Sequence, residues 1–413
     1  MITERMSTDK PNVLLIADKE DAELLDANKE SVQWNLHWYV QEYKRLAGKV
    51  AELQYLISKH RVDYVMYSRN DGVAGRISIG PITSALKIGY SSFSGIDPHW
   101  REAEMTQCFE DFVKCGRRLD FNLPVENAKN TTHSHGTFSV AFDTEQLGGV
   151  RYGLPRILTM LGKHGVKATF FVTNLMKVVY SDLLNQISRR GHEVGIHGMW
   201  HEYLTKYSVE QQTRLIHGMI SDFNGNVSGA NFMYRMDRGT LKALVTNRIR
   251  YLVHPMMNYH RFISYPKIST RPALLEVSGR QIWMLPISAE TYGLPWLCIK
   301  NMLDSAISLG ARTGFPHVSV LCHPFRDGSL SHIEATENML RYLLSVGLAP
   351  VTLAELVKDH LHTADTAISR CPNDFHARKT RIAPPTTTQD FLGIVPENAV
   401  KFWRLIRRGR TPF

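Results

Sequence analysis

At 413 residues, 43% hydrophobic and 21% charged, the chain has the composition of a globular protein of two or three domains with a sizeable core. No apolar run is long enough to span a bilayer, and the short apolar run 13–17 after the polar start MITERMSTDKPN is no signal-peptide core, so a cytoplasmic protein is expected. Five cysteines without a CxxC spacing argue against a disulfide framework and a cysteine-based metal centre, and a net charge of +10 favours anionic partners.

NVLLIA at 12–17 reads as a buried strand, 32–60 as a helix in two pieces broken near Gly48, 62–67 as a second strand and 87–90 as a third. That order predicts a small N-terminal α/β domain with a parallel sheet over residues 1–125. No glycine-rich phosphate loop follows the first strand, and Asp18, Glu20 and Asp21 read as a solvated loop and helix start. Residues 98–119 look helical, and the polar stretch ENAKNTTHSH, 126–135, reads as a linker.

From Gly136 short apolar strands alternate with amphipathic helices up to residue 360, which predicts a closed or nearly closed β/α barrel. The strands are placed at 138–142, 168–173, 192–196, 231–234, 251–254, 282–287, 318–322 and 350–353, and the helices at 152–164, 181–190, 208–224, 297–309 and 332–346. Residues 361–413 form a basic extension: a Thr- and Pro-rich strap with PPTTT at 384–388, then ENAVKFWRLIRRGR. Phe402 and Trp403 among basic residues predict a short amphipathic helix suited to peripheral contact with an anionic inner membrane face.

Catalytic groups of a β/α barrel stand at the C-terminal ends of its strands. On the predicted strands those ends carry Asp143, His197 with His201 just beyond, Arg235 and His323. His197 and His201, four residues apart, share one face of a helical turn and can hold a zinc-like ion. Each residue also has a structural role open to it, since a strand-end Asp caps a following helix and a His before Pro can be satisfied in its loop. Four such groups together point to chemistry.

The motifs that carry these residues are AFDTE (141–145), GVKATFFVTN (165–174), GHEVGIHGMWH (191–201), YRMDRG (234–239) and LCHPF (321–325). Over roughly residues 137–356 the set resembles the polysaccharide deacetylase, or NodB-homology, family. The resemblance implies a metal-dependent N-deacetylase in which two His and one carboxylate hold a divalent ion, most simply zinc. Asp143 would be the general base, His323 the acid that protonates the leaving amine, Arg235 the group that orients Asp143, and the backbone N–H of Arg238 an oxyanion donor. Thr144 stands where the family has its second Asp. Residues i and i+2 of a strand face one side, so Glu145 is assigned as third ligand beside His197 and His201.

The segment also adds Asp237 and Arg238 near the substrate side, and it lacks the family's usual prolines. The implied substrate is an N-acylated, chiefly acetylated, amino sugar or glycan precursor. A deformylase of a lipid-linked amino sugar and a degenerate carbohydrate-binding module on the same fold are the alternatives. No nucleic-acid partner is expected, because no recognised binding motif accompanies the charge.

Overall fold

The structure is a computed structural model that describes residues 12–17, 35–40, 50–62, 64–67, 89–92, 107–108, 110–112, 114–119, 121, 135–232, 235–254, 270–291, 294–361, 368–370 and 376–378. The acidic residues at 18–21, most of the 126–135 linker and the basic stretch 397–410 lie outside the described residues.

The N-terminal unit is a four-stranded parallel sheet of β1 (Asn12–Ala17), β2 (Asn35–Val40), β3 (Tyr64–Tyr67) and β4 (Gly89–Ser92), in the order β2-β1-β3-β4. The helix α1 (Val50–Lys59) begins just past Gly48. Residues 35–40, expected in a helix, are instead a strand paired residue for residue with β1. NLHWYV ends in two aromatics and a β-branched residue, which favour a pleated surface over a helix.

The larger unit is built on an eleven-stranded sheet. Its strands in chain order are β5 (Gly136–Thr144), β6 (Thr169–Val172), β7 (Glu193–Ile196), β8 (Gly229–Ala230), β10 (Tyr251–His254), β11 (Ala273–Val277), β12 (Arg280–Pro286), β13 (Ala289–Glu290), β14 (His317–Cys322), β15 (Leu348–Pro350) and β16 (Ile368–Arg370). The main path runs β13-β14-β5-β6-β7-β8-β10-β12-β11-β16, with β15 paired to β5. This is a (β/α) barrel open between β13 and β16.

β5 is its spine. Residues 137–144 are all buried, as a parallel strand covered on both faces requires. β14 lies along one edge of β5; on its other edge β15 takes Gly136–Phe138 and β6 takes Ala141–Thr144. Phe142 of β5 stacks on Phe170 of β6 with ring centroids 4.9 Å apart, and both are fully buried. Each such ring contributes about 1.5–3 kcal/mol by burial.

The covering helices are α2 (Leu154–Lys163), α3 (Asn174–Val179), α4 (Leu183–Ser188), α5 (Val209–Asp222), α6 (Arg238–Thr246), α7 (Trp296–Thr313), α8 (Pro324–Asp327) and α9 (Ile333–Ser345). Ser208 starts α5 with a reciprocal capping box to Gln211. Among the described residues no helix is long and apolar enough to cross a membrane.

Two elements depart from the predicted string. β11 and β12 form an antiparallel hairpin across Ser278 and Gly279, both at positive φ. Of the predicted strand 231–234, the described residues Asn231 and Phe232 are not in a strand: β8 ends at Ala230, and β9 (Arg235–Asp237) pairs with β17 (His376–Arg378) in a separate two-stranded sheet. A Cβ at Gly229 of β8 would meet the Tyr251 ring at 1.9 Å, so only glycine lets that ring lie beneath the strand.

Residues 107–121 are joined to the barrel through a buried acid. Asp111 is fully buried, 2.5 Å from Arg151 Nη1 and 3.2 Å from Arg117 Nε, and it accepts a hydrogen bond from the Tyr180 hydroxyl. Burial lifts its carboxyl above the usual range even beside two guanidinium groups. Backbone bonds from Gly116 and Arg117 to the carbonyls of Val178 and Val179 complete the join.

Candidate active site

Asp143, one residue before the end of β5, is 2% exposed. Its Oδ1 accepts a 2.5 Å hydrogen bond from Asn231 Nδ2 and lies 3.7 Å from His197 Nδ1. Its Oδ2 lies 3.9 Å from His323 Nε2. Three of the residues singled out in the sequence therefore meet around one carboxylate at the C-terminal ends of β5, β7 and β14.

Asn231 is the residue the sequence does not reveal. It follows β8, is fully buried, and touches two partners at once. Its side chain donates to Asp143, while its carbonyl accepts from His197 Nδ1 at 2.5 Å. A proton held on Nδ1 by a carbonyl puts the lone pair of that imidazole on Nε2, the tautomer used by metal-ligating histidines. The end of the fourth strand is thus Asn231, not Arg235. Arg235 opens β9 in the separate sheet, and its side chain lies outside the described residues.

His201 comes back against His197, with ring centroids 4.9 Å apart. The two do not sit on a helical turn as the spacing predicts. They flank a loop in which Gly198 has φ 101° and His201 φ 68°. The buried carboxylate of Glu202 accepts from the backbone N–H of Met199 at 3.0 Å and of Trp200 at 2.7 Å. Burial pushes that carboxyl up, and the two N–H donors pull it partly back. An acid directly after the second histidine is the signal that marks Glu202.

Glu145 is 4% exposed and lies just past β5. Because the strand ends at Thr144, the alternation that would turn Glu145 to the side of Asp143 does not extend to it. Among the described residues no group of three His, Cys, Asp or Glu side chains is set to hold an ion. The donor chemistry of the His197–His201 pair fits a divalent metal.

Asp237 and Arg238 form the start of α6. Asp237 is the N-cap, its Oδ1 accepting from the backbone N–H of Thr240 at 2.8 Å and from its hydroxyl at 3.1 Å, so this carboxylate serves the helix. Arg238 is the first residue of the helix, directly after that N-cap.

His323 caps α8, and its backbone N–H donates to Asp327 Oδ2 at 2.6 Å. Burial raises the Asp327 carboxyl to about 6 against hydrogen bonds from Thr291 and His323. The segment is clamped from behind: a Cβ at Gly153 would stand 2.0 Å from the Pro324 carbonyl oxygen, so the π-helical turn Gly149–Gly153 can lie directly on it. The neighbouring thiol of Cys322 is fully buried and pushed well up, first by burial and then by Asp327, Glu290 and Asp143. Glu290 is 8% exposed at the end of β13, where it pairs with Leu321, and adds a further acid to this end of the sheet.

Residues 130–256 match the family model described as polysaccharide deacetylase. A structure from Mycobacterium smegmatis assigned to the polysaccharide deacetylases is similar at 17% identity, over 60% of this chain and 96% of that one, with a TM-score of 0.50. A peptidoglycan deacetylase from Bacillus subtilis aligns at 16% identity over 56% and 93% of the two chains, with a TM-score of 0.36. A family 4 carbohydrate esterase from Streptomyces lividans aligns at 13% identity over 52% and 92%, with a TM-score of 0.35. No curated protein matches the chain in sequence. The first superposition shows a shared fold, and the matched segment contains Asp143, Glu145, His197, His201, Asn231 and Arg235. Residues 130–256 are a domain of the polysaccharide deacetylase family.

Proposed function

We propose that the chain is a metal-dependent hydrolase that removes an N-acyl group, chiefly acetyl, from an amino sugar or glycan precursor. The observation that carries this reading is the meeting of Asp143, Asn231, His197 and His323 at the strand ends, the first three of them within the family-matched segment. His197 and His201 would hold the divalent ion, zinc being the simplest choice, with Glu145 as the proposed third donor. When bound, such an ion polarises the amide carbonyl and acidifies water.

The chain's own groups do the proton work. Asp143, held by Asn231, takes a proton as water adds to the carbonyl. His323, on the other side of Asp143, gives a proton to the departing amine nitrogen. The Asn231 carbonyl keeps the His197 proton on Nδ1 throughout. The backbone N–H of Arg238 is the proposed donor to the developing oxyanion, and Arg235 the proposed partner of Asp143.

Mass spectrometry of N-acetylated and N-formylated amino sugars, free and lipid-linked, after incubation with the protein and zinc tests this directly. Loss of acetyl is expected, with metal content falling in His197→Ala and His201→Ala. Loss of formyl alone would replace the deacetylase by a deformylase. A second reading has its own support: no three ligating side chains are gathered among the described residues, which suits a carbohydrate-binding module that keeps the fold. Tight glycan binding without zinc uptake or acyl loss would establish that reading in place of the first.

A further inference from the structure

The other end of the sheet carries a site of opposite chemistry. β10 and β12 run parallel with Tyr251, the first residue of β10, opposite Trp283, midway along β12, so what surrounds this start of β10 lies away from the strand ends that bear Asp143 and His197. A cavity of about 340 Å³ opens there, large enough for a small organic ligand. Its floor is apolar and buried, with Ile249 2%, Leu274 1% and Trp283 6% exposed. Its rim is cationic: Arg248, Arg250 and Arg280 line it and are all exposed.

None of the nine lining residues is acidic. Glu276 shares the face of β11 that carries Leu274 but does not line the cavity. Arg280 is fixed in place, its Nη1 donating to the carbonyls of Val245 at 2.9 Å and Thr246 at 3.4 Å at the end of α6. That contact also satisfies the negative end of the helix, which would otherwise oppose an anion.

We propose that this cavity binds a phosphate-bearing small molecule, its phosphoryl oxygens at the guanidinium rim and its apolar part against Leu274 and Trp283. Three like charges around one hollow repel one another, and an oxyanion that accepts from several planar guanidinium groups relieves that repulsion. A phosphate or diphosphate supplies both the charge and the acceptor count, and the apolar floor takes the rest of the molecule. The inference stands apart from the hydrolase reading, because none of these residues belongs to the candidate active site.

Arg248 offers a clean test. It follows the C-cap of α6 with φ 61°, a left-handed position where glycine is the least strained residue, so Arg248→Gly removes the charge without disturbing the turn. Calorimetric titration of the full chain with inorganic pyrophosphate at fixed ionic strength should show saturable binding. Arg248→Gly and Arg250→Gln should each weaken it by about tenfold or more, with thermal midpoints at or above wild type for the glycine variant. No saturable binding, or binding that both variants retain unchanged, would overturn the proposal.

Cosedimentation with phosphatidylcholine vesicles containing phosphatidic acid separates the sources of the phosphate. Vesicle binding that the same two substitutions abolish supports the site as one for a lipid headgroup. Pyrophosphate binding lost in the variants, with no vesicle binding by wild type, supports it as one for a soluble phosphate.

Discussion

Asp143, buried, and Glu193, half-buried, are carboxylates in one sheet, and they are treated in opposite ways. Glu193, at the start of β7, receives the Tyr251 hydroxyl at 2.6 Å, the Thr169 hydroxyl at 2.8 Å and the Ala354 N–H at 2.9 Å. Burial raises its carboxyl, and these three donors work against the rise. Asp143 takes the Asn231 amide at 2.5 Å and faces two imidazoles at 3.7 and 3.9 Å, outside direct hydrogen-bond distance. The first acid is saturated and ties strand to strand. The second takes a side-chain amide and faces two imidazoles, groups that can exchange protons. Burial alone does not mark a reactive acid; the kind and distance of its neighbours do.

The comparison breaks first at Asp143. Asp143→Asn should leave folding nearly intact and lower turnover by about 10²- to 10⁴-fold, the usual contribution of a general base. Thermal unfolding and steady-state kinetics on the same preparation check this, and near-normal turnover would remove Asp143 as the base. Glu193→Ala should do the reverse. It strands the Tyr251 hydroxyl and costs about 3 kcal/mol of stability, while turnover per folded molecule stays at wild type. Urea unfolding gives the first number and active-site-normalised kinetics the second.

Asp327 tests an intermediate case. Its folded carboxyl titrates near 6, above its ordinary value of 3.8, so the ionised form is disfavoured in the native state. Native stability should therefore rise as pH falls from about 6 to about 4, by about 2–3 kcal/mol, with no further gain below. Asp327→Asn keeps an acceptor for the His323 N–H and should flatten that rise. Denaturation midpoints across the pH range decide it.

The smallest effect expected is that of Asn231→Ala. The carbonyl that orients His197 survives, so metal content should hold, and kcat should fall by about tenfold to a hundredfold as Asp143 loses its donor. Loss of metal in this variant would mean that Asn231 supports the histidine pair and not the acid.

Periodicity made most of the barrel legible. Helices predicted at 208–224 and 332–346 are found at Val209–Asp222 and Ile333–Ser345, and the strand at 251–254 is found unchanged. Asp143, His197 and His323 were legible because each is a reactive residue type directly after an apolar run. Asn231 was not, because its role needs a carbonyl and an amide aimed at two strands far away in sequence. The run NFMY imitates a strand, but β8 ends at Ala230, and the Asn231 carbonyl goes to the His197 ring. The helical reading of the histidine pair failed for a related reason: the N–H groups of Met199 and Trp200 go to the Glu202 carboxylate, a local bond that competes with a helical turn.

The Cys322 thiol gives this site a built-in chemical clock. Alkylating reagents attack thiolates, and this sulfur is fully enclosed, with its ionisation suppressed by three nearby acids. Cys115 and Cys298 are only partly enclosed, so they take up a reagent first. Modification at position 322 then has to wait until β14 and the π-helical turn separate. Its rate therefore reports the opening frequency of this end of the barrel, read by peptide mass alone. A ligand that grips this end should slow that rate in proportion to its affinity, whether or not it is ever turned over.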